Sequence, residues 1–177
     1  MTKVVNILAG PGAGKSTLAA GIFYALKLEH IHTEQAMEYA KDLVWEERSK
    51  TLANQVYVFG KQQNRVHRLI NKVDVVITDS PMILSIFYGR EYGRYPESFY
   101  QSCKDIFDMY DNINFLIKRG TLYQTEGRNQ TREEAIQFDN RIENWLKDEN
   151  IPYYSVEQGA VAEVVSIIKR ELQKNGE

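Results

Sequence analysis

The chain of 177 residues holds one cysteine, Cys103, so no internal disulfide can form. That suits a reducing cytosol, with Cys103 read as a small buried hydrophobe on a helix. No apolar stretch approaches the ~20 residues needed to cross a membrane. The N-terminus runs into a strand pattern rather than a signal peptide, so the expected location is cytoplasmic. Net charge is scarce too: 22 basic against 24 acidic side chains leave −2. So small a balance gives no overall attraction to nucleic acid, although a local basic patch stays open. Repeats and low-complexity tracts are missing. What remains, 43% hydrophobic and 26% charged, suits one compact domain over 1–177, with a frayed tail at about 173–177.

The most informative segment is local. Residues 9–17 read Ala9-Gly10-Pro11-Gly12-Ala13-Gly14-Lys15-Ser16-Thr17, after the apolar run Val4–Leu8 and before Leu18–Phe23. A buried strand, a glycine turn and a helix start are the setting of a phosphate-binding loop. Gly10, Gly12 and Gly14 let consecutive N–H groups turn toward an anion. The helix from Lys15 adds its positive end to the same spot. Lys15 is expected to reach the β- and γ-phosphates of ATP, and the Ser16 hydroxyl to ligate Mg2+. Pro11, Ala13 and Thr17 complete the cradle, and Ala9 stands where the consensus begins with glycine. The sequence implies nucleoside triphosphate binding.

Further along, apolar runs at 73–78, 113–118 and 151–156 read as buried strands, with a weaker one at 27–33. Helical patterns are expected at 15–26, 34–47, 50–71, 97–110, 131–148 and 159–173. The alternation implies an α/β fold: a parallel sheet of about five strands with helices on both faces. Two polar stretches, 88–96 and 119–130, lack periodicity and read as binding loops, the second a mobile lid. Each follows a strand or the short segment beyond one, the ligand-binding edge of such a sheet.

Several side chains could carry chemistry. Asp79 ends an apolar strand, where it suits Mg2+ or a helix cap, and Pro81 then breaks the strand. Glu34 and Glu38 could take a proton from an attacking hydroxyl, or complement a helix dipole as solvated glutamates. Arg119, Arg128 and Arg132 bracket the second loop, where a guanidinium could close over a transferring phosphoryl group or remain in solvent. Tyr88, Tyr92, Tyr95 and Tyr100 interleave with Arg90 and Arg94, a mixture able to stack on a base and hold phosphate.

Together, Gly10–Lys15 and Asp79-Ser80-Pro81 after a valine-rich strand resemble the P-loop kinases of nucleosides and nucleotides. A nearer resemblance is to the nicotinamide riboside kinase domain of bacterial NAD-regulator proteins. It is carried by Glu38-Tyr39-Ala40-Lys41-Asp42, Gly60-Lys61-Gln62, Asp79, Gly127-Arg128 and the approach from Lys147 to Pro152-Tyr153. A second acid that the family carries after the third strand is Pro81 here. The resemblance implies a three-layer P-loop NTPase fold and an ATP-dependent phosphotransferase in which Glu38 and Gln62 face the acceptor. Small phage-encoded kinases that phosphorylate hydroxymethyl-uracil within DNA are similar as well. The 88–95 loop, with Tyr88 and Arg90, is the one feature favouring such a polymer. The acceptor the resemblance implies is a nucleoside or nucleotide-like small molecule, or modified DNA. A phage origin would put the enzyme in host cytoplasm. From another class, a P-loop ATPase or nucleotide switch would need a water-positioning residue and typically a base-reading motif such as N-K-x-D.

Overall fold

In a computed structural model of the protein, residues 1–93, 95–120 and 131–174 are described. Strand β1 (Lys3–Leu8) leads through the glycine loop into α1 (Lys15–Leu28), followed by β2 (Thr33–Gln35). Helices α2 (Tyr39–Trp45), α3 (Ser49–Leu52) and α4 (Gln55–His67) precede β3 (Val75–Thr78). Then come α5 (Leu84–Tyr92), α6 (Glu97–Asp108), β4 (Asp111–Lys118), α7 (Arg132–Asp148), β5 (Tyr154–Glu157) and α8 (Val161–Gln173). The strands form one parallel sheet in the order β2-β3-β1-β4-β5.

All six residues of β1 are buried, as a central parallel strand requires. Its side chains alternate between two cores. Val5 and Ile7 pack with Leu18, Ile22, Val164 and Ile168 of α1 and α8. Val4 and Leu8 pack with Phe59, Ile86, Phe107 and Phe138 of α4 to α7. Asn6 lies between Val4 and Leu8 on that second face. Its amide donates to Asn112 Oδ1 and Asn114 Oδ1, both at 2.9 Å, which offsets the cost of burying it. Cys103 is buried in the α6 core, and burial pushes its thiol pKa up to about 12.

The fold agrees with the expected class but moves several boundaries. Residues 27 and 28 continue α1, so β2 is only the three residues that pair Thr33 with Val75 and Gln35 with Ile77. Glu34 therefore lies on a strand, 3.3 Å from Lys27 Nζ, not on a helix. The expected 50–71 helix is two helices, because Asn54 interrupts it and its side chain caps α4 by accepting from Tyr57 N at 3.3 Å. Residues 88–92, expected as loop, are the last turns of α5. Buried Leu84, Ile86 and Phe87 hold that helix against the core despite its polar end.

Candidate active site

β1 and β3 are neighbours, with Asn6 level with Thr78, so the residues beyond their C-terminal ends meet. That brings the glycine loop beside Asp79. Ser16 Oγ donates to Asp79 Oδ2 at 2.6 Å, and Asp79 is 5% exposed. Gly12 and Gly14 have φ of 76° and 87°, values that favour glycine. Gly10 does not share that conformation. A Cβ there would stand 2.5 Å from Asp139 Oδ1, so close approach, not φ, demands glycine. Ala13 is buried beneath the loop, while Pro11, Ser16 and Thr17 are exposed at its mouth.

Lys15 Nζ donates to the main-chain oxygens of Ala9 and Gly10, both at 3.0 Å. Loss of hydration lowers its pKa, while the charges of Glu38, Asp79 and Asp139 act to raise it. Glu38 precedes α2, and burial raises its pKa against the pull of Lys15. Lys15, Glu38 and Asp79 thus converge on one region from three elements.

That region opens into a cavity of about 500 Å³. Its wall is largely apolar, with Val44, Leu52, Val58, Met82 and Leu84 beside Tyr88 and Tyr92. Tyr88 stacks on Tyr92 with centroids 6.4 Å apart, and Tyr92 stands exposed at the rim. Burial, then the charge of Glu38, raises the Tyr88 pKa and keeps its hydroxyl neutral. Lys15 is the only basic side chain among the described residues of this wall.

The remaining expected residues divide. Gln62 lines the cavity, but its amide is already engaged: Oε1 accepts from Tyr39 N at 3.0 Å, and Nε2 donates to Ala36 O and Thr78 Oγ1. Arg90 is turned away from it. Its guanidinium grips Glu97 at 2.6 and 3.2 Å and lies 4.4 Å over the Tyr100 ring. Arg119 sits against the loop, donating to Pro11 O at 2.9 Å and to both oxygens of Asp139. Arg128, with most of the expected lid, and Arg94 lie outside the described residues.

Three contributors escaped the sequence reading. Gln55 lines the cavity two helical turns before Gln62, and its buried Oε1 has no hydrogen-bond partner among the described residues. Asp139, on α7, accepts from Gly10 N at 2.7 Å. Gln158 accepts from Gly120 N at 3.1 Å and abuts Gly14. No local signal marks any of them: Asp139 and Gln158 act on partners distant in sequence, and Gln55 is marked by its place in the cavity wall. The string N-K-x-D does occur, as Asn71-Lys72-Val73-Asp74, but just before β3, at the sheet edge opposite the loop. There Asp74 accepts from His32 N, and Asn71 N donates to Thr2 Oγ1.

Solved structures share this architecture. A NadR protein in complex with NR superposes with a TM-score of 0.61 at 17% identity, over 87% of this chain and 45% of that one. This chain thus spans less than half the length of that NadR chain. A deoxyadenosine kinase from M. mycoides, with products dCMP and a flexible dCDP bound, gives 0.53 at 16% identity over 97% and 99%. These likenesses establish a P-loop NTPase fold. No curated protein sequence matches. Residues 4–163 match the sequence pattern of the family described as AAA domain (AAA_28), and the chain belongs to that family.

Proposed function

We propose that this protein is an ATP-dependent kinase that phosphorylates a hydroxyl group of a free nucleoside. The observation that carries this reading is the apolar cavity abutting the phosphate loop, with Lys15, Asp79 and Glu38 in its wall. A hydrolase or switch needs only water at that place. A chamber of about 500 Å³ lined by tyrosines and aliphatics suits a flat, largely apolar acceptor. The two solved neighbours, a NadR protein in complex with NR and a deoxyadenosine kinase, support the same class.

In this reading Lys15 leaves the carbonyls of Ala9 and Gly10 for the phosphate oxygens and offsets the charge that builds on them. The loop N–H groups and the start of α1 hold the rest of the triphosphate. Glu38 accepts the acceptor's hydroxyl proton as that oxygen attacks the γ-phosphorus, and the bond to the ADP oxygen breaks. A Glu38 made more basic by burial suits this role. Gln55 Oε1, without a partner among the described residues, accepts from a donor on the base. Gln62 acts indirectly, tying α4 to the start of α2 and so setting Glu38.

The donor set also fits Mg2+. Ser16 Oγ and Asp79 Oδ2 are hard oxygens 2.6 Å apart, and this ion commonly takes only one or two protein ligands beside water and phosphate. Ser16 and Asp79 would hold it, and it would neutralise charge shared by the β- and γ-phosphates.

The acceptor-free and acceptor-driven rates of ADP formation test the proposal, with a panel of ribo- and deoxyribonucleosides and DNA carrying hydroxymethyl-uracil. Acceleration by a free nucleoside, on the order of 10²-fold or more, is expected. ADP formation indifferent to every acceptor would make the protein an ATPase, and acceleration by the DNA alone would move the acceptor to the polymer.

A further inference from the structure

Asp139 lies on α7, far in sequence from the loop it touches. Its Oδ1 accepts from Gly10 N at 2.7 Å, and its Oδ2 accepts from Arg119 Nε at 2.7 Å. Arg119 also donates from one terminal nitrogen to Oδ1 at 3.2 Å and to Pro11 O at 2.9 Å. The two side chains are 15% and 4% exposed, so this pair is almost dry. One carboxylate and one guanidinium therefore fasten two successive residues of the loop, Gly10 and Pro11, to the end of β4 and to α7. Gly10 is itself explained by this contact: its backbone would accept another residue, but a Cβ would strike Asp139 Oδ1 at 2.5 Å and Phe138 at 3.0 Å.

We propose that Asp139 is a positioning residue that holds the phosphate loop and Arg119 in the arrangement the nucleotide binds, a role that rests on the nucleotide-binding reading above. A loop with several glycines has many conformations of similar energy. Affinity falls by whatever fraction of molecules is not in the competent one. The forked, charge-assisted geometry is directional enough to select it. Asp139 need not touch the nucleotide to do so.

The test titrates the magnesium complex of a non-hydrolysable ATP analogue into the parent and D139N, with the Gly10 amide resonance followed by NMR. The amide fills the same space but offers an N–H where both partners already donate. Binding should weaken roughly tenfold or more, and the Gly10 resonance should move before any nucleotide is added. If D139N does not fold, R119K serves, since it keeps the charge but not the fork. It should weaken binding roughly threefold or more and shift Gly10, which Arg119 reaches through Asp139. A folded D139N, or R119K in its place, with parental affinity and an unmoved Gly10 resonance overturns the role of Asp139. A parent that fails to bind the analogue overturns the nucleotide reading, a separate result.

Discussion

At the residue scale the site gathers opposing charges in one place. Lys15 is deprived of water but bordered by Glu38, Asp79 and Asp139. Replacing Lys15 with alanine should lower kcat by ~10²–10³ with little change in melting temperature, because it deletes charge stabilisation rather than packing. Steady-state kinetics beside thermal denaturation check this. Asp79→Asn should lose activity and Mg2+ dependence together, since an amide is a poor partner for the ion, and a magnesium titration reads both. As the proposed base, Glu38 should carry the pH dependence. Its pKa is raised in the fold, so the ionised form needed by a base appears only above the ordinary glutamate value of 4.5. kcat should rise with pH through that higher value, and Glu38→Gln should abolish this limb while lowering kcat by ~10²–10⁴. Stability has the opposite sign. The folded state binds the proton more tightly, so stability declines as pH rises from the unfolded to the folded pKa. Glu38→Gln should gain relative stability across that window. Chemical denaturation at several pH values measures it.

At the element scale, the α3–α4 break places Gln55 at the cavity, and the sequence pattern did not reveal it. Residues 50–71 carry apolar side chains at helical spacing throughout, so periodicity alone joins them. Asn54 separates them by capping α4 through Tyr57 N. Asn54→Ala should cost about 1 kcal/mol of stability and blur recognition of the base before it alters ATP affinity. Denaturant melts and the two KM values check this. The loop between β1 and α1 was legible because its chemistry is contiguous. α5 was not, because Tyr88 to Tyr92 is polar in sequence yet docked through Ile86 and Phe87. β2 was misplaced for a related reason: its three residues form a strand only because β3 lies beside them. Gln55 and Gln62 lie two turns apart on α4, and which amide is free depends on Tyr39, Ala36 and Thr78, partners the sequence does not pair.

At the scale of the whole molecule, the strand order brings the C-terminal ends of β1 and β3 together and lets α2, α4 and α5 wall a chamber beside them. The fold class and the phosphate loop are thus consequences of local pattern, whereas the chamber is a product of assembly. Its only described basic side chain is Lys15, and Arg90 is held by Glu97. Acceptor binding should therefore be nearly independent of salt, where several phosphate contacts would give a steep slope, and Arg90→Ala should leave the acceptor KM unchanged. In the proposed reaction the γ-phosphoryl group passes from ATP to a nucleoside held in this chamber. Following γ-phosphate oxygens labelled with a heavy isotope, by mass spectrometry of the products, tests it most directly. The label is expected in a nucleoside monophosphate, formed by the parent and suppressed in Glu38→Gln. Label found only in inorganic phosphate, at equal rates with and without nucleoside, would contradict it.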